Sequence, residues 1–169
     1  MADSVQRVWD VVEKVGVGML TTQFGGGLRA RPLEPRVDRD EATIRFVTDA
    51  RGAKDDELAA APDACLIVID PKDKAYLSIT GRAAVFADPE LASQIWRRTD
   101  DVWWPDGPAD PNVRVLEFYP ATAELWDGPA SKIVAAFEFA KARATGEKPN
   151  LGENRKTTVA MRDDAPRLF

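Results

Sequence analysis

The sequence contains no histidine and only one cysteine, Cys65, among its 169 residues. The absence of histidine excludes a Ser-His-Asp triad and the usual histidine-containing zinc sites. A lone cysteine cannot form a disulfide bond within the chain, and without histidine it lacks the base that activates a thiol nucleophile. Its place in the apolar run from Cys65 to Ile69 predicts a buried, hydrophobic role. Any chemistry is therefore expected to come from a bound cofactor.

Long apolar runs and net positive charge are also lacking. No apolar run reaches the ~18 residues that a membrane-spanning helix needs, and the first ten residues, MADSVQRVWD, do not resemble a secretory signal. The formal net charge of −5 argues against a nucleic-acid-binding surface. We therefore expect a cytoplasmic protein with neither a nucleic-acid nor a membrane partner.

Periodicity along the chain predicts roughly seven strands and four helices. The strands are expected at 17–23, 28–37, 43–48, 64–70, 75–86, 113–119 and 121–127, and the helices at 4–15, 53–61, 88–98 and 131–143. Many strands are joined as hairpins and the helices fall at connections, which favours a mainly β (α+β) fold, a small antiparallel barrel with peripheral helices. Gly81 predicts a bulge or a tight bend, which barrels use at corners. Residues 1–145 are expected to form this domain, and residues 146–169 an irregular C-terminal tail.

The stretch from Leu28 to Lys54 concentrates positive charge before a predicted helix. It carries the hydroxyl of Thr48 and the cations Arg29, Arg31, Arg36, Arg51 and Lys54. Cationic side chains beside the free N–H groups of a first helical turn suit a phosphate group. The same charges also suit an ordinary solvated hairpin, and the residues alone leave both interpretations open.

Several short segments, taken in order, resemble a known family. They are Arg31-Pro32-Leu33, Phe46-Val47-Thr48, Lys54, residues 76–81 and Glu124-Leu125-Trp126-Asp127-Gly128. Their order and spacing resemble the FMN-binding split-barrel family related to pyridoxamine 5′-phosphate oxidase. The loop Trp103-Trp104-Pro105-Asp106-Gly107 and the tail segment Gly152-Glu153-Asn154 are similar to its general stress protein 26 branch. The resemblance implies an antiparallel split β-barrel with FMN as the cofactor.

The resemblance also implies roles for particular positions. Arg31 and Lys54 would contact the FMN phosphate, and Val47 and Thr48 would line the ribityl and phosphate site. The backbone of Pro32 and of Leu33 would border the isoalloxazine ring. The family often has serine where this chain has Gly52 and arginine where it has Ala53, so the phosphate site is expected to have fewer donors than usual.

Four aromatic residues complete the implied site, which would lie between the two subunits of a homodimer. Tyr76 would contact the flavin ring, and Trp126 would reach the flavin from the second subunit. Trp103 and Trp104 would lie near the cofactor across the same interface. Taken alone, Trp126 also suits a barrel core, and Trp103 and Trp104 also suit an interface without a cofactor.

Two classes of function remain open. The first is an FMN-dependent oxidoreductase acting on an unidentified small molecule, with a stress-related role implied by the branch; a deazaflavin-dependent reductase is its variant. The second is a flavin-binding carrier, sensor or store without turnover. In the true oxidases of pyridoxamine 5′-phosphate, an arginine and a histidine follow the closing tryptophan by six and eight residues. Lys132 and Val134 occupy those places after Trp126, so that activity is not expected.

Overall fold

The computed structural model describes residues 2–52, 54–127, 143, 146 and 155–161. Within these residues the chain forms eight strands and three α-helices. The helices are α1 (Ala2–Val15), α2 (Lys54–Ala60) and α3 (Pro89–Ile95). The strands are β1 (Gly18–Phe24), β2 (Gly27–Leu33), β3 (Arg36–Asp38), β4 (Thr43–Asp49), β5 (Asp63–Asp70), β6 (Ala75–Phe86), β7 (Val113–Asp127) and β8 (Arg155–Ala160).

The strands form one sheet with antiparallel pairing throughout. Their order is β2-β1-β5-β6-β7-β4-β3, and β8 adds to β7. The predicted fold class, an antiparallel split barrel with peripheral helices, is confirmed.

The charged stretch does not fold as one continuous hairpin. Glu34 and Pro35 interrupt it, so that its first half becomes β2 and β3. β3 pairs with β4 as predicted, whereas β2 pairs with β1 at the other end of the strand order. Proline has no N–H to continue a ladder, and the chain changes strand partner at this point. β2 and β3, the first and last strands in the order of the sheet, are therefore neighbours in the sequence.

β7 runs through Pro120, where two separate strands were predicted. Thr80 pairs with Thr122 but Gly81 pairs with Pro120, so β7 carries one extra residue, Ala121. The predicted bulge at Gly81 is confirmed. It also explains how a proline is accepted in an interior strand, because proline is confined to edges and bulges.

One face of the sheet and α1 enclose the main core. Val8, Trp9 and Val12 of α1 are buried in it as the helical spacing predicts. Alternate strand residues such as Leu66 and Leu77 point into the same core. The helix begins at Ala2, two residues before the predicted start at residue 4. Gly16 ends it at a positive φ of 72°.

A second apolar cluster lies beneath α3. It contains Val47, Val115 and Trp104, with Ala92 from the helix. The carboxylate of Asp88 accepts the N–H of Leu91 at 2.9 Å and caps α3 as predicted. The helix ends at Ile95, short of the predicted residue 98, and a turn follows that leads to the tryptophans.

The opposite face of β1, β5 and β6 is exposed and carries several apolar side chains among polar ones. We call it the outer face, and it includes Met19, Ile67, Ile69 and Tyr76, of which Ile69 is 51% exposed. β5 is a nearly continuous apolar run, yet only alternate residues are buried. Cys65 lies on this outer face, partly exposed and 3.4 Å from the Ser78 hydroxyl, so the prediction of a buried cysteine is wrong.

The C-terminal region differs from the expectation where it is described. The tail was expected to be irregular, but residues 155–160 form β8 against β7. The predicted helix at 131–143 lies outside the described residues except for Arg143, as do Lys132, Val134 and the segment 152–154. In the described part of the chain, none of the helices has the length and hydropathy needed to cross a bilayer.

Candidate functional site

A cavity of about 470 Å³ opens where the ends of β2 and β4 meet the tryptophan turn. Its volume lies in the range typical of small-molecule sites. The walls combine apolar, aromatic and charged side chains: Val17, Pro32, Leu33, Glu34, Arg36, Val47, Thr48, Asp49, Arg51, Asp100, Trp103 and Trp104. Such a mixture suits a flat, partly polar organic ligand better than a metal ion. Among the described residues, no group of three or more metal-ligating side chains is placed to hold a metal.

The cavity brings together six of the ten predicted site residues. These six are Pro32, Leu33, Val47, Thr48, Trp103 and Trp104. They come from β2, from β4 and from the turn after α3, which are distant in sequence. Arg31, Tyr76 and Trp126 are not part of the cavity lining, and the side chain of Lys54 lies outside what the structure describes. Their assignment to a cofactor stays a prediction.

The two tryptophans differ in their surroundings. Trp104 is buried in the cluster under α3, 6.0 Å from the ring of Trp96. Trp103 is 73% exposed and forms the outer lip of the cavity. An exposed indole next to a cavity offers a flat apolar surface for a ligand or for a partner subunit. Trp103 therefore suits a contact with the cofactor and equally an interface without a cofactor, the two roles expected from the sequence.

A buried ion pair holds the tryptophan turn against β3. Nη2 of Arg36 lies 2.6 and 2.8 Å from the two carboxylate oxygens of Asp100, and each side chain is 8% exposed. The carbonyl oxygen of Asp100 accepts the N–H groups of Trp103 and Trp104. Its carboxylate also accepts the N–H of Arg97 at 2.8 Å. This one aspartate therefore positions the aromatic wall.

A second ion pair, between Arg51 and Asp49, forms part of the cavity wall. Arg51 binds the carboxylate of Asp49 through its backbone N–H and its guanidinium, and these contacts lower the pKa of Asp49 to about 2. Trp104 Nε1 makes no hydrogen bond of normal geometry among the described residues. Its indole N–H is nevertheless near enough to Asp49 to contribute to the lowered pKa of that carboxylate. Asp49 is therefore ionised at neutral pH and poorly suited to act as a base.

The arginine predicted to bind phosphate is itself paired with a carboxylate. Nη2 of Arg31 lies 2.6 and 2.5 Å from the two carboxylate oxygens of Glu57 on α2, and Nη1 donates to the Thr22 hydroxyl at 2.9 Å. Burial acts to raise the pKa of Glu57, but hydrogen bonds from Arg31 and Thr22 outweigh it and leave that pKa below its ordinary value. Arg29 also binds Glu57, at 3.2 Å. None of these four residues belongs to the lining of the cavity described above.

Tyr76 and Trp126 lie together on the outer face. They are paired across β6 and β7, and Lys156 of β8 places its ammonium 5.5 Å from the Trp126 ring centroid. Both aromatic side chains are at least partly accessible, so the alternative that Trp126 belongs to the barrel core is wrong. This face is continuous with the cavity, because Met19 pairs with Ile67 on one side and with the cavity residue Pro32 on the other.

Part of the site carries no signal in the sequence. Asp100 and Glu57 had no visible signal, because an acidic residue before an aromatic pair or inside a short helix looks like ordinary surface charge. Arg36 and Arg51 were noted only as cations, and their partners could not be inferred. Lys54 begins α2 as expected, but its side chain lies outside what the structure describes.

Comparison with known proteins identifies relatives over most of the chain. The profile of the family described as pyridoxamine 5′-phosphate oxidase like matches residues 3–150. The chain is 29% identical over 126 residues to general stress protein 26 of Bacillus subtilis (strain 168), covering 73% of this chain and 88% of that protein.

Solved structures show the same fold. General stress protein 26 from Jannaschia sp. CCS1 superposes with a TM-score of 0.76 at 32% identity, covering 95% of this chain and 99% of that one. A general stress FMN/FAD binding protein from Xanthomonas citri gives a TM-score of 0.68 at 20% identity, covering 75% and 90%. The resemblance to the general stress protein 26 branch is thereby confirmed.

Proposed function

The chain belongs to the pyridoxamine 5′-phosphate oxidase-like family, and on this premise we propose that it binds FMN and passes electrons between the flavin and a small molecule. The observation that carries the proposal is the cavity, in which six residues assigned to FMN from the sequence come together. The relative from Xanthomonas citri is described as an FMN/FAD binding protein. A related structure from Nostoc punctiforme is likewise described as FMN binding.

The cavity residues fit the parts of a flavin. Pro32, Leu33 and Val47 offer an apolar wall for the isoalloxazine ring, and the hydroxyl of Thr48 offers a polar contact for the ribityl chain. Bound FMN would supply the redox chemistry. The protein would orient the ring and exclude water from one of its faces. Arg31 and Lys54 are assigned to the phosphate.

The acid and base groups of the cavity favour a second candidate, a flavin-binding carrier, sensor or store. Asp100 and Asp49 are each held by an arginine, and Glu34 lies 3.9 Å from Arg36. No carboxylate of the described cavity is therefore left in an apolar setting that would make it a general acid at neutral pH. Such a site suits binding, or electron transfer that needs no proton donor from the protein.

One experiment separates the two candidates. The purified protein is loaded with FMN, its visible spectrum is recorded, and NADH or NADPH is added under anaerobic conditions. Bleaching of the flavin band by a nicotinamide donor supports the oxidoreductase. A bound flavin that stays oxidised with both donors supports the binding module. A protein that binds no FMN contradicts both, and a deazaflavin is then the next ligand to titrate.

The phosphate assignment is tested with Lys54→Ala. A charge-assisted hydrogen bond contributes about 1.5–3 kcal/mol, so FMN should bind roughly 10- to 100-fold more weakly. Riboflavin, which lacks the phosphate, should bind equally to both proteins. Lys72→Ala, which removes an exposed lysine from the turn between β5 and β6, is the matched control. Unchanged FMN affinity in Lys54→Ala would show that Lys54 does not bind the FMN phosphate.

We further propose a homodimer that uses the outer face. This surface exposes several large apolar side chains and is continuous with the cavity through Pro32 and Met19. A second copy packed there would bring Tyr76 and Trp126 of one subunit towards the cavity of the other, as the family resemblance implies. Large exposed apolar patches commonly mark protein interfaces.

Light scattering tests the dimer. Wild-type protein should have twice the monomer mass, and Ile69→Lys should shift it towards the monomer because it places a charge in the apolar face. Gln94→Lys, which adds the same charge on the exposed side of α3, should remain dimeric. A wild-type monomer that still binds FMN would contradict the proposal.

A further inference from the structure

Glu57 is a buried carboxylate surrounded by donors from two neighbouring strands. Its side chain is only 2% exposed. It accepts Nη2 of Arg31 with both oxygens, the hydroxyl of Thr22 at 3.0 Å and Nη1 of Arg29 at 3.2 Å. These are the kinds of contact that a bound phosphate usually receives, namely charge-assisted hydrogen bonds from an arginine, a second cation and a hydroxyl. The protein's own carboxylate already occupies them.

The charges of this cluster do not cancel. Arg29 and Arg31 contribute two positive charges, and Glu57 contributes one negative charge. Arg29 also stacks over Phe24, with its guanidinium carbon 3.7 Å from the ring centroid. The excess positive charge attracts an anion. Any anion that approaches Arg31, however, is repelled by the carboxylate that Arg31 already holds.

Arg31 cannot give its full fork to two anions at once. Nη2 is bonded to both oxygens of Glu57, and Nη1 donates to Thr22. A phosphate that takes two parallel hydrogen bonds from Arg31 must displace at least one of these contacts. The displaced carboxylate would then stay buried with fewer partners, which opposes phosphate binding.

We propose that Glu57 is an internal counter-ion that competes with the ligand's phosphate for Arg31, and that it therefore limits the affinity for phosphorylated ligands. The inference rests on the proposed function, because that function assigns Arg31 to the FMN phosphate. In the free protein Glu57 offsets part of the positive charge of the two arginines and holds both side chains in place. In the complex the phosphate takes over part of this role.

The test is Glu57→Gln, titrated separately with FMN and with riboflavin. Glutamine retains the shape and can still accept a hydrogen bond, but it removes the repulsive charge. FMN should bind about tenfold tighter or more, while riboflavin affinity stays the same. The quantity to compare is the ratio of FMN affinity to riboflavin affinity in each protein. A general loosening of α2 would not raise this ratio.

Glu117→Gln is the matched control. Glu117 is also a largely buried carboxylate paired with an arginine, at 2.7 Å from Arg45, but it lies on β7 away from the cavity. Its substitution should leave the FMN-to-riboflavin ratio unchanged. A ratio that falls or stays constant in Glu57→Gln overturns the proposal, and a fall shows that Glu57 orients Arg31 for the phosphate instead. If Glu57→Gln does not fold, Glu57→Asp is used instead. Aspartate is one methylene shorter, so its charge lies farther from Arg31 and the FMN-to-riboflavin ratio should rise to a smaller extent. A ratio that does not rise overturns the proposal.

Inorganic phosphate separates failure of this inference from failure of the proposed function. If wild-type protein binds neither FMN nor riboflavin, the flavin proposal fails, and the effect of Glu57 is judged from phosphate alone. Phosphate should raise the melting temperature of Glu57→Gln more than that of wild type, and the double variant Glu57→Gln/Arg31→Met should lose the difference. An equal or smaller effect in Glu57→Gln counts against the counter-ion role.

Discussion

Gly81 faces the backbone of Tyr119 so closely that no side chain fits between them. A Cβ built on Gly81 would lie 2.2 Å from the carbonyl oxygen of Tyr119 and 3.0 Å from the ring of Phe118. The bulge in β7 brings the two strands to this separation. The glycine is therefore required by packing against backbone, which cannot move aside as a flexible side chain can.

Gly81→Ala should lower the free energy of unfolding by about 3 kcal/mol or more, because the methyl group must push β6 and β7 apart. Gly27→Ala is the control. Gly27 also lies in a strand, but the nearest atom to its added Cβ is 3.7 Å away, so its effect should stay within about 1 kcal/mol. Urea unfolding followed by circular dichroism measures both. Similar losses in the two variants would contradict the close approach.

Asp100→Asn should destabilise the protein by about 3–5 kcal/mol, since it takes from the buried Arg36 the one carboxylate to which it is hydrogen-bonded and leaves only that of Glu34 at 3.9 Å. The double variant Arg36→Met/Asp100→Leu removes both charges and should recover part of that loss. Tryptophan fluorescence should also shift in Asp100→Asn because the turn that carries Trp103 and Trp104 loosens. A double variant less stable than Asp100→Asn would show that the pair itself stabilises the fold.

The Asp49–Arg51 pair predicts a pH dependence of stability. The pKa of Asp49 is lowered to about 2 in the folded protein, so its contribution is complete above the unfolded value near 4. That contribution is lost as the pH falls from about 4 to about 2. Wild type should therefore be more stable than Asp49→Asn at pH 7, and the difference should shrink by pH 2.5. Urea midpoints at the two pH values measure this, and a constant difference would contradict it.

The protein should not oxidise pyridoxamine 5′-phosphate. Lys132 and Val134 stand where the oxidases place an arginine and a histidine, and Ala136 stands where they place a further arginine. Lysine loses the planar fork, and valine and alanine donate no hydrogen bond. With FMN-saturated protein, pyridoxal 5′-phosphate formation should be negligible. Turnover near about one per second, an ordinary enzymatic rate, would contradict this assignment.

The regular elements of the fold were predictable because their signals are local. The apolar stripe of α1, the cap at Asp88 and the alternation of β6 each depend on residues a few positions apart. The pairing partner of β2 was not predictable in this way. An interruption at Glu34 and Pro35 is compatible with a bent strand or with a change of partner, and only the packing of the whole barrel decides between them.

The candidate site was predicted in part, and through resemblance more than through physics. The six residues that meet at the cavity were assigned by position in the family's pattern. Glu57 and Asp100 were missed because an ion pair depends on two residues being close in space, and neither partner marks the other in the sequence. The exposed side of β5 was missed because Ile67 and Ile69 are as apolar as the buried residues between them.

The change of partner at Glu34 and Pro35 has a consequence for the order of folding. The pairs β1–β2, β3–β4 and β5–β6 join neighbours in sequence, so their loops close at little entropic cost. The pairs β1–β5 and β4–β7 join distant segments and should form later. Leu33 and Val47 belong to different early hairpins, so the cavity between them exists only after β7 has docked on β4. A ligand of this cavity can therefore hold the finished barrel together but cannot guide its first steps.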